Sequence, residues 1–247
     1  MIIRRNAQVK QDRYPRVPRY AIANNELGHK SLHVGDLTFL PGSSVPHHYH
    51  NEGAEETQLM LDGELECWID GNRTTVRGGD TVTAPPGIRH AFYNRTDEPA
   101  RMITAFPLTP PETIHVDEPE LENVVDHPSI VRAGSRTGPY ATDVDGVVLV
   151  ELSGDFSGAK STYTYVLEIE PRAAVPAAIY RHEVAIFLVE GDLRTRLGAG
   201  PETDLHVNDA SVVEPGKSVA LSNRGPEPAK VAVVHPVLNT AFTRTTN

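Results

Sequence analysis

Cysteine is almost missing from this 247-residue chain. Cys67 is the only one, so no disulfide within the chain can staple the fold, and a reducing compartment suits it. Cys67 falls inside a strand-like run, 64–69, and reads as an ordinary strand residue rather than a reactive thiol. Clustered positive charge is missing too. With 23 Lys and Arg against 33 Asp and Glu, the formal net charge is −10, which argues against a nucleic-acid partner and against binding to an anionic membrane surface. Long apolar runs are also absent: no stretch approaches the length that crosses a bilayer. The opening Met1-Ile2-Ile3-Arg4-Arg5 is not followed by the apolar core of a signal peptide. The expected location is the cytoplasm.

What the chain does contain is punctuation. Its 20 prolines and 19 glycines separate short runs rich in Val, Thr, Ile and Leu, the pattern of an all-β protein with many turns and few helices. Residues 1–30 hold six cations, Arg4, Arg5, Lys10, Arg13, Arg16 and Arg19, interleaved with Tyr14, Pro15, Pro18 and Tyr20. They read as an arm, either solvated or laid across a neighbouring subunit. Alternating strands fill 31–107, with Asp62-Gly63 and Asp70-Gly71 as hairpin signals. A connector rich in Pro and acids follows over 108–144, with one short helix expected near 120–125. Strands resume over 145–247.

The second run of strands repeats the first. Pro41-Gly42-Ser43-Ser44-Val45-Pro46 matches Pro171-Arg172-Ala173-Ala174-Val175-Pro176, and Leu59-Met60-Leu61-Asp62-Gly63 matches Phe187-Leu188-Val189-Glu190-Gly191. Pro86-Gly87 with Asn94 then matches Pro215-Gly216 with Asn223. The order is kept, so each half is one copy of the same β unit.

Two spaced motifs carry the chemistry of the first copy. One runs Gly42-x5-His48-x-His50-x5-Glu56-x6-Gly63, the other Gly79-x5-Pro85-x-Gly87-x2-His90-x3-Asn94. They resemble the two signature motifs of the cupin superfamily. The second agrees at every fixed position; the first departs in having five residues, not three or four, between His50 and Glu56. That longer loop makes Glu55 a competitor for the ligand position, but Glu56 keeps the spacing to Gly63. Resemblance to the cupins covers 31–107 with specific motifs and 145–240 with degenerate ones. It implies two tandem jelly-roll β-barrels.

Strand geometry explains the spacing. Residues two apart share a face, so His48 and His50 point into the barrel while Tyr49 and His47 point away, which leaves His47 exposed or beside the ligands. Glu56 and His90 come from other strands, and the four side chains converge on one divalent transition metal ion. Three imidazoles and a carboxylate suit Fe, Mn, Co, Ni, Cu or Zn, with positions left open for water, substrate or dioxygen. Counting by two from Glu56 and His90 turns Gln58, Met60 and Phe92 inward; with Trp68 they make a partly apolar pocket for an organic substrate. Gln58 is placed to hydrogen-bond a bound water or substrate, or else to be satisfied by backbone.

The second copy has Ala178, Tyr180, Val184 and Val219 where the first has its ligands. It is expected to be metal-free and structural, covering a sheet face or shaping a dimer. His182 and Glu183 sit beside the lost ligand position as a possible displaced site, without further ligands. Function, implied by the resemblance, is a metal-dependent dioxygenase acting on a small enol- or phenol-type substrate, with Glu56 as base. The alternatives are a non-redox isomerase, cyclase or lyase in which the ion is a Lewis acid, and a ligand-binding cupin without catalysis. Cupins commonly pair through sheet edges, so a homodimer is expected.

Overall fold

The computed structural model describes residues 1–108, 110–120, 122–135, 138–238 and 242–244. Their strands form two barrels of the same design, each from one seven-stranded and one five-stranded sheet, and every strand pair is antiparallel. Three short 3-10 turns are the only helical elements among the described residues, and none is long and apolar enough to cross a membrane.

In the first barrel the seven-stranded sheet runs Ile130–Val131, Thr81–Ala84, Glu56–Asp62, Ala100–Phe106, His33–Phe39, Val17–Ala23, Val9–Tyr14. The five-stranded sheet facing it runs Thr113–His115, Ser44–His50, His90–Tyr93, Glu64–Ile69, Asn72–Arg77. The strand Glu56–Asp62 is buried on both faces. Met60 packs into the barrel with Met102, Phe92 and Leu65, while Leu59 on the other face packs with Ile103 against Phe187, Ala232 and Val234 of the second barrel. The second barrel therefore covers the first barrel's large sheet, one of the two structural roles expected of it.

Asp70-Gly71 closes a true hairpin between Glu64–Ile69 and Asn72–Arg77. Asp62-Gly63 does not. The strands on either side of it belong to different sheets, so the turn is the corner where the chain changes sheet. Gly63 is required there by its φ of +76° and because an added Cβ would lie 2.6 Å from Ala100 Cα. A two-residue turn signal reports a reversal; which sheet the next strand joins depends on distant partners.

The expected arm and connector need correction. Ile2–Ile3 pairs with Ala210–Val213 of the second barrel, and Val9–Tyr14 and Val17–Ala23 form a hairpin that joins His33–Phe39 of the first. Residues 1–30 thus pair within the chain instead of forming a solvated tail. The connector is laced onto the first barrel in the same way, Thr113–His115 against Ser44–His50 and Ile130–Val131 against Thr81–Ala84. Leu121, within the short helix expected near 120–125, lies outside the described residues, while its neighbours 120 and 122–125 are not helical.

The two copies exchange their opening strands. Ile2–Ile3 sits on the second barrel and Ile130–Val131 on the first, at equivalent edges. Arg4 and the Arg5 N–H bind Asp209, and Arg132 and the Ala133 N–H bind Asp80. Of the cations that suggested an exposed arm, Arg4 pairs with Asp209 of the second barrel and Arg5 with Asp36 of the first. This exchange has a buried carboxylate clamp on each side. Glu55, fully buried, accepts the N–H groups of Lys160 at 2.5 Å, Ser161 at 3.2 Å and Thr162 at 2.8 Å, and the Thr162 hydroxyl at 2.6 Å. Glu183 accepts the N–H groups of Lys30 at 3.0 Å and Ser31 at 2.7 Å, and the Ser31 hydroxyl at 2.8 Å.

Candidate metal centre

Ser44–His50 and His90–Tyr93 are paired neighbours, and their register puts His48 directly opposite His90. His50 lies two residues further along the same face. Glu56 opens the strand Glu56–Asp62 of the facing sheet, so its carboxylate crosses the barrel to reach the imidazoles. All four residues are buried, and one donor atom from each lies within 4.8 Å of every other. The four residues marked out by spacing are brought together, and among the described residues they are the only such group of His, Cys, Asp or Glu.

Backbone carbonyls orient the imidazoles. His48 Nδ1 lies 2.8 Å from Pro46 O, His50 Nδ1 2.9 Å from Glu112 O, and His90 Nδ1 3.0 Å from Ile88 O. Each Nδ1–H donates outward, so each Nε2 is turned to the centre, the arrangement that holds metal-binding imidazoles in one tautomer. The carbonyl holding His50 belongs to the connector, a segment with no expected part in the site. Glu56 Oε2 lies 3.1 Å from His50 Nε2 and 2.8 Å from His90 Nε2. These two contacts outweigh burial and hold the Glu56 carboxyl well below the usual carboxylate range. Burial, followed by the neighbouring His90, pulls His48 down to about 3, a neutral imidazole with a lone pair to give. Such a donor set, buried and pre-oriented, suits a first-row transition metal ion.

Glu55 does not compete for the centre, because its carboxylate points out of the barrel into the clamp on Lys160, Ser161 and Thr162. Gln58 lines the cavity in front of the cluster, and both polar atoms of its amide are buried without a partner. The alternative in which backbone satisfies this amide is therefore ruled out. Met60 and Phe92 are inward as expected. Trp68 is not: its strand turns Cys67 and Ile69 into the core, which sends Trp68 to the outer face. There it donates to Glu66 and meets the His47 ring edge-on at 5.2 Å. His47 does point away from His48, but it is 2% exposed rather than solvated. Among the polar residues of the cavity that were missed are Arg13, Arg19, His33, Thr104 and Thr113. Arg19 and Thr113 sit in segments read as arm and connector.

The second barrel repeats the geometry without the donors. Ala178 pairs with Val219 as His48 pairs with His90, and Tyr180 and Val184 fill the remaining places within an apolar core. His182 and Glu183 do not form a displaced site. His182 Nε2 lies 2.9 Å from His235 Nδ1, whose other nitrogen is 3.2 Å from the Tyr165 hydroxyl, whereas Glu183 is turned to Lys30 and Ser31.

Comparison with known proteins agrees with this construction. The cupin domain family matches residues 35–106. Protein SchB of Streptomyces halstedii is 32% identical over 97 residues, 38% of this chain and 70% of SchB. Polyketide synthase CurC of Streptomyces cyaneus is 36% identical over 93 residues, 37% of this chain, and the match spans only 60% of CurC. Gentisate 1,2 dioxygenase 1 of Aquipseudomonas alcaligenes is 39% identical over 70 residues, 28% of this chain and 20% of the dioxygenase. The fold extends further than these sequence matches. The oxalate decarboxylase of Lactobacillus farciminis superposes with a TM-score of 0.79 at 13% identity, over 99% of this chain and 88% of its own. With both motifs in the front barrel and neither in the rear one, the chain belongs to the cupin family as a bicupin.

Proposed function

We propose that this protein is a metal-dependent dioxygenase acting on a small organic substrate with an enol or phenol oxygen, and that His48, His50, Glu56 and His90 hold one ion. The observation that carries this reading is the convergence of four buried donors with all three imidazoles anchored through Nδ1. When bound, the ion supplies a Lewis acid for the substrate oxygen and, if it is redox-active, a place for dioxygen to react.

The protein's own groups do the rest. Glu56 Oε2 takes the enol or phenol proton, and its burial keeps that proton from exchanging freely with solvent. Gln58, with a free donor and a free acceptor, hydrogen-bonds and orients the substrate. Phe92, Phe106 and Met102 line the cavity and exclude water from it. Both atoms of dioxygen enter the substrate, so the substrate supplies all the electrons and no external reductant is needed. Likeness to the gentisate dioxygenase supports this reaction class.

A non-redox isomerase, cyclase or lyase is the second reading, and the similarity to polyketide synthase CurC favours it. Elemental analysis of purified protein, followed by oxygen-electrode assays with a panel of enols and phenols, separates the two. Iron, nickel or copper with substrate-dependent oxygen uptake is the expected result; zinc alone and no uptake would give the second reading the field. His50→Ala is expected to remove the bound metal and any activity. Activity that persists without metal would end both.

A further inference from the structure

One wall of the cavity in front of the metal centre is built by the hairpin that the sequence presented as an arm. Arg19, in Val17–Ala23, is 8% exposed and lines the same cavity as His48, His50, Glu56 and Gln58. Its Nη1 donates to Gln11 Oε1 at 2.5 Å, and its Nη2 is buried without a partner. Among the described residues no carboxylate forms an ion pair with this guanidinium, and Glu56 and Glu26 act on it only from further off. By contrast, Arg101 faces Asp36 and Arg132 faces Asp80 and Asp126. Burial pulls Arg19 down to about 10, which leaves it a cation at neutral pH. His33, also lining the cavity, is pushed by burial to about 3 and adds no charge of its own.

Gly35 shows that the position is built. It lies in the middle of the strand His33–Phe39, where a β-branched residue would be favoured. An added Cβ there would come within 2.5 Å of Arg19 Cζ and Nη2. The missing side chain is the space the guanidinium occupies. A buried cation without a contact ion pair lowers stability unless a ligand supplies one, and a planar guanidinium matches a carboxylate with two parallel hydrogen bonds.

We infer that Arg19 is a carboxylate anchor, so that the substrate is an enol or phenol that also carries a carboxylate, with its apolar body against Phe92, Phe106 and Met102. The oxygen end of this assignment rests on the proposed function; the carboxylate end does not. The cavity is small, about 50 Å³, and partly open to solvent, which restricts the ligand to a small acid.

Isothermal titration calorimetry of metal-loaded and metal-free protein tests this, with pyruvate against pyruvamide and salicylate against salicylamide as probes. Each pair has one shape and differs in charge. The acids are expected to bind about 10-fold or more tightly than the amides. In Arg19→Met that preference disappears. Gly35→Ala, which keeps Arg19 but displaces it, weakens the acids alone, and it serves should Arg19→Met fail to fold. Equal binding of acids and amides, no binding of any probe, or a preference that survives both substitutions would overturn the inference. A protein that takes up no metal yet prefers the acids would sink the proposed function and leave the anchor standing.

Discussion

Removing the Glu55 carboxylate is expected to loosen the two barrels from each other without emptying the metal centre. Glu55 accepts four hydrogen bonds from residues 160–162. In Glu55→Ala, Lys160 is exposed and Ser161 partly so, and their N–H groups can turn to water; Thr162 is fully buried. Its hydroxyl keeps Thr57 as a partner at 2.8 Å, so the Thr162 N–H is the group left orphaned. An orphaned buried donor costs about 1–3 kcal/mol, and hydrogen bonds to a charged acceptor contribute about 1.5–3 kcal/mol. The bonds share one carboxylate and are not additive, so the expected loss is about 3 kcal/mol. Glu55→Gln keeps one acceptor oxygen but turns an amide N–H toward a backbone N–H, for a loss of about 1–2 kcal/mol. Glu52→Gln, on the exposed neighbouring turn, is the control at about zero. Guanidinium unfolding of metal-free protein reads these differences from the transition midpoints. Metal stoichiometry is expected to stay at one ion in Glu55→Gln and to fall in Glu56→Gln. A Glu55→Ala protein as stable as the unaltered one, or a Glu55→Gln protein that loses its metal, would refute the reasoning.

Three further outcomes are expected. Gln58→Leu removes an unpartnered buried amide, so the melting temperature should hold or rise, while oxygen uptake with any enol the protein oxidises should fall about 10-fold or more; a lower melting temperature with unchanged turnover would make Gln58 structural. Glu183 is held below its ordinary value of 4.5, as the Ser31 and Lys30 donors outweigh burial. Its contribution is therefore complete above pH 4.5 and is lost as pH falls through the lower folded-state value, so acid unfolding should be steeper in the unaltered protein than in Glu183→Gln. Cys67 is fully buried and burial pushes its thiol up, so a soluble disulfide reagent should label one thiol per chain only after unfolding.

Much of the site was legible because its information is local. His48 and His50 share a face by strand period alone, and the fixed distance from Glu56 to Gly63 reflects one strand and its corner. The lost donors of the rear barrel were equally plain, since Ala178 and Val219 can be aligned without knowing that they pair. Trp68 failed as a pocket residue for want of one more step: Cys67 and Ile69 on either side of it were the inward pair.

By itself, then, the sequence determined the strand-rich duplication, the four converging donors and the barrel that lacks them, because period, turn residues and motif spacing are properties of short segments. Tertiary structure alone decided where the edges go. Ile2–Ile3 and Ile130–Val131 each complete the other copy's sheet, and Glu55 and Glu183 each clamp the opposite barrel, since a strand edge or a buried carboxylate takes whichever partner the fold brings to it. The same holds for Arg19. A cation in the sequence reads as solvated until the fold buries it, with one guanidinium nitrogen unpartnered, beside the metal centre.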